Sequence, residues 1–288
     1  GLSNDPEWGG QGLPHIVAAL TSEMWHASCM SFALCPMLTA GAVQAVKRHG
    51  SDKLKDIYLS KLISGQWSGT MNLTEPQAGS DLSAVRSKAV PEGEYHRIYG
   101  TKIYITWGEH EMAENIVHLV LARTPDAPEG VKGISLFVVP KYLVNDDGSL
   151  GNRNDVKCIS IEEKLGIHAS PTCVMAFGDE DGAVGYLVGE ENRGLQYMFT
   201  MMNFARLEVG IEGLAISERS YQRAAEFAKG RVQGRAIGKG SGDRVSIIHH
   251  PDVRRMLLTM KSQIEAMRAL SLQTCLHLDL AMAHSDDA

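Results

Sequence analysis

The segment of this sequence best equipped for chemistry is a short polar run, Leu73-Thr74-Glu75-Pro76-Gln77-Ala78-Gly79-Ser80-Asp81. Pro76 fixes a backbone torsion and stiffens the turn, while Gly79 lets the main chain approach a ligand closely. Thr74 and Ser80 place two hydroxyl donors within the same few residues. A solvated loop has a similar composition, so the run needs companions. Asn203 and Arg206 lie one turn apart in a helical stripe, and Arg231 follows. A planar guanidinium suits bidentate binding of an anion, although an Arg in such a stripe also serves as an ordinary salt-bridging residue. Glu208 is a carboxylate one turn from Ala205 on a similar helix face.

Other constellations fail their templates. In Gly65-Gln66-Trp67-Ser68-Gly69 the Ser falls one position too late for a nucleophile elbow. Among the eleven His residues, His249 and His250 are adjacent and point apart on a helix, so no metal spacing emerges. In the Gly-rich, basic stretch 234–242, Lys239 is followed by Gly240 rather than by Ser or Thr, which reads as a helix–helix loop and not a phosphate loop. Asn72-Leu73-Thr74 is formally a glycosylation sequon, which a cytoplasmic chain leaves unused. The five Cys residues contain no C-x-x-C pair and fit reduced, mostly buried thiols.

The elements that must position these residues follow from period and composition. With 288 residues, 44% of them hydrophobic and 22% charged, the chain can bury a sizeable core. A net charge of -6 and a pI near 6.0 argue against nucleic acid and give no polybasic patch for a membrane surface. No segment reads as roughly 18 uninterrupted apolar residues, since Met30 to Val43 is broken by Pro36. The start at Gly1, without Met, makes the chain read as a piece lacking both ends. From Pro14 to about Ser64 the apolar residues recur at helical spacing, with Ser51 as an N-cap.

From Trp67 to Val188 the texture is that of strands. Tyr95–Tyr99 and Lys102–Thr106 flank Gly100-Thr101, which predicts a hairpin. Ile116–Arg123, Gly133–Val139, Thr172–Phe177 and Ala183–Val188 are further strands, and 124–130 is a turn. After Asn192, Leu195, Met198, Phe199, Met202 and Val209 form one helical stripe, and Val253, Met256, Leu257, Met260, Ile264 and Met267 form another. These Met-rich stripes read as core packing. Three zones result: 1–66 helical, 67–191 a β domain and 192–288 helical.

The run at Leu73–Asp81 resembles the T-E-P-x-A-G-S-D loop of the flavin-dependent acyl-CoA dehydrogenase family and matches it at every fixed position. Gly100-Thr101-Lys102-Ile103-Tyr104-Ile105-Thr106 resembles the family's G-x-K-x-[WF]-I-T, with Tyr104 in place of Trp or Phe. Glu163-Lys164-Leu165-Gly166-Ile167, with Ser170 and Thr172, resembles K-x-G-x-R-x-S-x-T, with His168 for Arg. Gly185 to Gly194 matches the family's turn into its C-terminal helices, and Asn203-Phe204-Ala205-Arg206 its [DN]-x-x-R. His249–Arg255 and Ile105–His110 look similar to a 3-(methylthio)propanoyl-CoA dehydrogenase-like subgroup.

The resemblance implies an α+β fold: a helical N-terminal part, a central β-barrel domain and a C-terminal antiparallel helix bundle. It implies FAD held by Met71, Leu73, Thr74, Gly79, Ser80, Tyr104 and Thr106, with Arg231 reaching the FAD pyrophosphate of the neighbouring subunit, and a CoA thioester facing Ser80, Asn203 and Arg206. Gly234 stands where the family has a Phe beside that last flavin contact. The implied reaction is α,β-dehydrogenation in fatty acid metabolism, with electrons passed to an electron-transfer flavoprotein by a cytoplasmic homodimer or homotetramer. An acyl-CoA oxidase and a non-catalytic assembly subunit are the alternatives. The family's catalytic Glu is expected beyond Ala288 or, in a minority of members, at the position of Ala205, which leaves Glu208 as the remaining candidate base here.

Overall fold

The structure is a computed structural model that describes residues 1–145, 147–238 and 242–284. Part of the loop predicted at 234–242, including Lys239 and Gly240, lies outside the described residues. The chain divides into two compact units, the first made of Gly1–Gly12 and Ser31–Arg206, the second of Leu13–Met30 and the chain from Leu207 onward.

In the first unit, the helix α1 (His15–His49) contributes its C-terminal part and α2 (Asp52–Ser64) follows. Ser51 caps α2 as its residue type predicts, its hydroxyl accepting from Leu54 N at 3.3 Å. The strands are β1 (Trp67–Asn72), β2 (Lys88–Glu92), β3 (Tyr95–Thr106), β4 (Asn115–Ala122), β5 (Ser135–Pro140), β6 (Tyr142–Val144), β7 (Leu150–Arg153), β8 (Val156–Ile161), β9 (Thr172–Phe177) and β10 (Ala183–Leu187). Eight of them form one curled sheet in the order β1-β4-β5-β10-β3-β9-β8, with β2 also on β3. β4 and β5 are buried at every position, Asn115, His118 and Ser135 included, as their largely apolar runs require. One core cluster joins the apolar faces of α1, α2 and the first turns of α3 (Gly194–Gly230) to β1, β4 and β5, with Trp67, Tyr58, Leu119 and Met198 at its centre. A second lies inside the curl, around Ile98, Ile105, Phe137, Cys173 and Phe177.

Two expectations need correction. No hairpin forms at Gly100-Thr101: β3 runs unbroken through both residues. Gly100 is there for close approach, because a Cβ at its φ of 144° would lie 2.4 Å from Ser87 Oγ and 3.0 Å from Ser87 Cα. The local Gly–Thr signal for a turn lost to strand pairing on both edges, with β2 and β9. In addition, α1, which kinks at Cys29 (φ -152°, ψ 89°) and is not ended by Pro36, is long and apolar enough to cross a membrane by length and composition. Within the fold 61% of that apolar window is buried, which is also what a core helix requires.

The second unit is helical. The N-terminal part of α1 packs with the later part of α3 and with α4 (Pro251–His284). Asp279 on α4 caps the start of α1, accepting from His15 N at 2.7 Å and Ile16 N at 3.1 Å. Arg268 on α4 bridges Glu23 on α1 (2.7 Å) and Glu218 on α3 (2.8 Å). Arg219 donates to the Ala27 carbonyl at 2.8 Å. Because Ser22 meets Glu208 and Ala27 meets Arg219, α1 and α3 run parallel here. Arg268 against Glu218, with Cys275 against Ile211, makes α3 and α4 antiparallel. A small β11 (Val232–Arg235) and β12 (Arg244–Ser246) pair between those helices.

Candidate functional site

The loop at 73–81 owes its shape to one buried ion pair. Glu75 is 3% exposed and Lys102, on β3, is fully buried. Lys102 Nζ donates to Glu75 Oε1 at 2.8 Å and to the Leu73 carbonyl at 3.0 Å. The same Oε1 accepts from Ser87 Oγ at 2.6 Å and Ser87 N at 3.1 Å, while Oε2 accepts from Arg86 N at 2.8 Å and Gln77 Nε2 at 2.6 Å. Burial alone would raise the Glu75 carboxyl, but the Lys102 ammonium and the bonds from Ser87 and Arg86 outweigh it and hold the group at about 2. Burial pushes the Lys102 amine down to about 8 against the opposing pull of Glu75. The pair is therefore ionised together at neutral pH. Ile103 N donates to the Thr74 carbonyl at 2.9 Å, so the loop backbone is pinned to β3 on both sides of its Thr.

β3 is deformed where it meets this loop. Lys102 pairs with Met175 and Ile105 with Cys173, which leaves Ile103 and Tyr104 opposite one residue of β9, a β-bulge. Tyr104 takes a φ of 59°, uncommon for a residue with a Cβ, and its side chain is 61% exposed. Trp107, at φ 55°, is fixed by Nε1 donating to the Ser31 carbonyl at 3.0 Å and by its own N donating to the Pro171 carbonyl at 2.7 Å. Between them, Thr106 pairs with Thr172 of β9, and its carbonyl accepts from Thr70 Oγ1 of β1 at 2.6 Å.

Strand and loop thus bring Met71, Leu73, Thr74, Tyr104 and Thr106 together beside the bulge of β3, with Thr172 of a third motif next to them. Among the described residues, the side-chain hydroxyls of Thr74, Ser80, Tyr104 and Thr106 have no hydrogen-bond partner, although the carbonyls of Leu73, Thr74 and Thr106 each accept one bond. A Cβ on Gly79 would meet only the Thr74 methyl, at 3.9 Å. Gly79 is therefore not required by the chain's own packing, and the space beside it is open. An exposed aromatic face, four free hydroxyls and an open backbone fit a flat ligand with a polar edge.

The remaining predicted residues have other partners. Asn203 and Arg206 are joined to each other on α3, Arg206 Nη1 donating to Asn203 Oδ1 at 2.8 Å with its guanidinium 5.3 Å from the Phe199 ring. No hydrogen bond among the described residues links either to the loop. Arg231, in the second unit, donates to Gln233 Oε1 at 3.1 Å. Glu208, also in the second unit, is 8% exposed and accepts from Ser22 Oγ at 2.5 Å, with burial raising its carboxyl. A shallow groove in that unit, lined by Pro251, Arg254, Arg255, Leu258, Thr259 and Ser262, contains none of the predicted residues.

Ser68 is not a nucleophile in waiting, although His110 Nε2 lies 2.9 Å from its hydroxyl. Met112 N donates to His110 Nδ1 at 3.1 Å, so the lone pair is on Nδ1 and Nε2 carries the hydrogen. Burial keeps this ring neutral, and it donates to Ser68 instead of taking its proton. Sequence reasoning missed the Glu75–Lys102 pair. The signal was present, since both ionisable residues sit inside motifs whose neighbours are apolar or turn-forming, but their pairing across 27 positions needs the fold.

Comparison with known proteins gives a consistent picture. Sequence models of the acyl-CoA dehydrogenase N-terminal, middle and C-terminal domains match residues 1–66, 70–179 and 192–287. The chain is 57% identical, over its whole length and 48% of the relative's, to 3-methylmercaptopropionyl-CoA dehydrogenase of Ruegeria pomeroyi. It is 41% identical to a butyryl-CoA dehydrogenase of Syntrophomonas wolfei, over 96% of this chain and 46% of the relative. It spans about half the length of these curated relatives. Among solved structures, one from work on the electron transferring flavoprotein of Acidaminococcus fermentans superimposes with a TM-score of 0.82 at 27% identity, covering 98% of this chain and 68% of that one. Butyryl-CoA dehydrogenase from Megasphaera elsdenii shares the fold, with a TM-score of 0.79 at 24% identity over 98% of this chain and 68% of that one. With its loop, its bulged strand and all three domain matches in agreement, this chain belongs to the acyl-CoA dehydrogenase family.

Proposed function

We propose that the protein containing this chain is an FAD-dependent dehydrogenase that converts an acyl-CoA thioester to its trans-2-enoyl-CoA and passes electrons to an electron-transfer flavoprotein. The observation that carries this reading is the bulge where Thr74, Tyr104 and Thr106 carry hydroxyls with no hydrogen-bond partner among the described residues, Tyr104 being 61% exposed. FAD, when bound, supplies a hydride acceptor. The chain's own residues bind and orient it: Thr74 and Thr106 offer hydroxyl donors, Met71 and Leu73 an apolar wall and Tyr104 an aromatic face, while Arg231 offers a guanidinium to the FAD pyrophosphate of the neighbouring subunit. Ser80, Asn203 and Arg206 face the thioester in this reading.

Glu208 is already engaged with Ser22, so we assign the removal of the α-proton to a carboxylate outside these 288 residues. The acyl group to test first is 3-(methylthio)propanoyl, because the relative at 57% identity acts on that thioester by its name. We place the protein in the cytoplasm, a reading that five unpaired cysteines support, and expect a homodimer or homotetramer there. Titration of the yellow full-length protein with acyl-CoAs under anaerobic conditions tests the proposal. Bleaching of the flavin absorbance by a saturated acyl-CoA is the expected result. A colourless protein, or one whose flavin no acyl-CoA reduces, would overturn it.

A further inference from the structure

The four free hydroxyls beside the bulge stand on a backbone held by charges that never reach the surface. Glu75 accepts from five donors, and these come from three places: Lys102 on β3, Arg86 and Ser87 ahead of β2, and Gln77 within the loop itself. Lys102 adds the Leu73 carbonyl, one residue before Thr74, while Ile103 N holds the Thr74 carbonyl. Glu75 and Ala78 exchange backbone hydrogen bonds at 2.9 and 3.0 Å, which closes the turn over Pro76. Lys102 is also the last regularly paired residue of β3 before the bulge that turns Tyr104 outward. One buried pair therefore fixes both the loop that carries Thr74 and Ser80 and the strand that carries Tyr104 and Thr106.

We propose that Glu75 and Lys102 are positioning residues for the flavin edge, acting through Thr74 and Tyr104. This rests on the flavin reading above and deepens it. The charges belong to the site and are more than a contribution to folding. Apolar residues of similar volume often replace a buried ion pair with no loss of stability, whereas a neutral pair cannot gather five donors and a carbonyl around one point.

The test separates the two roles. In the full-length protein, Lys102→Met leaves Glu75 charged and unpaired, and both thermal stability and flavin binding fall. The double variant Glu75→Gln with Lys102→Met removes both charges. Its melting temperature returns towards wild type, while its FAD dissociation constant stays raised by about tenfold or more and turnover falls at an unchanged KM. Amide exchange of the flavin-free double variant is faster at Thr74–Ser80 than in flavin-free wild type. A double variant with wild-type FAD affinity, flavin spectrum and exchange at this loop would show that the pair is structural only. A wild-type protein that takes up no FAD overturns the flavin reading and this proposal together, whereas a yellow wild type with an unaffected double variant overturns this proposal alone.

Discussion

The two units of this chain place their bridging ion pairs differently. In the sheet unit, Lys102 and Glu75 expose 0% and 3% of their side chains, and His118 on β4 is wholly enclosed. In the helical unit, Arg268 keeps 29% of its side chain in contact with solvent while it bridges Glu23 and Glu218. That unit also leaves Leu258, Leu270 and Phe227 more than 60% exposed. A sheet buried on both faces has no route to water for a polar group, so each must be partnered or neutral. A helix can lay its polar groups along a wet seam. The first arrangement fixes geometry and tolerates little, which suits a site; the second is permissive.

Removing one partner of each ion pair is the strongest way to test that contrast. Lys102→Met is expected to cost about 3–5 kcal/mol in denaturant unfolding, because it strands a buried carboxylate. Arg268→Met is expected to cost only ~1 kcal/mol, since water reaches both of its partners. Equal losses would erase the distinction.

Acid should act through the sheet unit. Burial, above all, pushes His118 down to about 3. The folded protein therefore binds this proton less readily than the unfolded chain, whose His titrates near 6.5. Stability is complete above that pH and falls at about 1.4 kcal/mol per unit below it, until pH approaches 3. His118→Leu loses the Asn72 Nδ2 bond to Nδ1 and so starts less stable, but its unfolding free energy should fall less steeply between pH 6.5 and 4. An unchanged slope would remove His118 from the account.

Glycine sharpens the contrast on a smaller scale. Gly100→Ala forces a methyl into Ser87, a donor to Glu75, at a φ of 144°. A loss of ~1–3 kcal/mol is expected in unfolding measurements. Gly213→Ala, on α3 in the helical unit, meets nothing within 4 Å and should instead stabilise by about 0.5–1 kcal/mol.

The smallest expected effect is at Glu208. Glu208→Gln keeps the bond to Ser22 and should leave flavin reduction by acyl-CoA within about threefold of wild type, close to the noise of one lost hydrogen-bond preference. Burial raises this carboxyl, so its ionisation in the folded state costs stability as pH rises through and above the ordinary Glu range. The Gln variant should flatten that part of the curve. Abolished flavin reduction would instead make Glu208 the base.

Much of this molecule was written in local pattern. The N-cap Ser51, the apolar runs of β4 and β5, and the apolar stripe of α3 announce their elements, because burial on one or both faces leaves a period in the chain. Core packing holds for only part of the two Met-rich stripes: Met198 on α3 and Ile264 on α4 are buried, while Val209, Met256 and Met267 are exposed. The loop motif from Leu73 to Asp81 likewise declared its family before any coordinates. Only the tertiary structure decided that Gly100 sits in an unbroken strand, that Tyr104 is turned out by a bulge, and that Lys102 reaches Glu75. Each of these depends on what lies across the sheet: Ser87 against Gly100, the register of β9 against β3, and a carboxylate distant in sequence. A residue type records its own preferences; the neighbour that overrides them is brought by the fold.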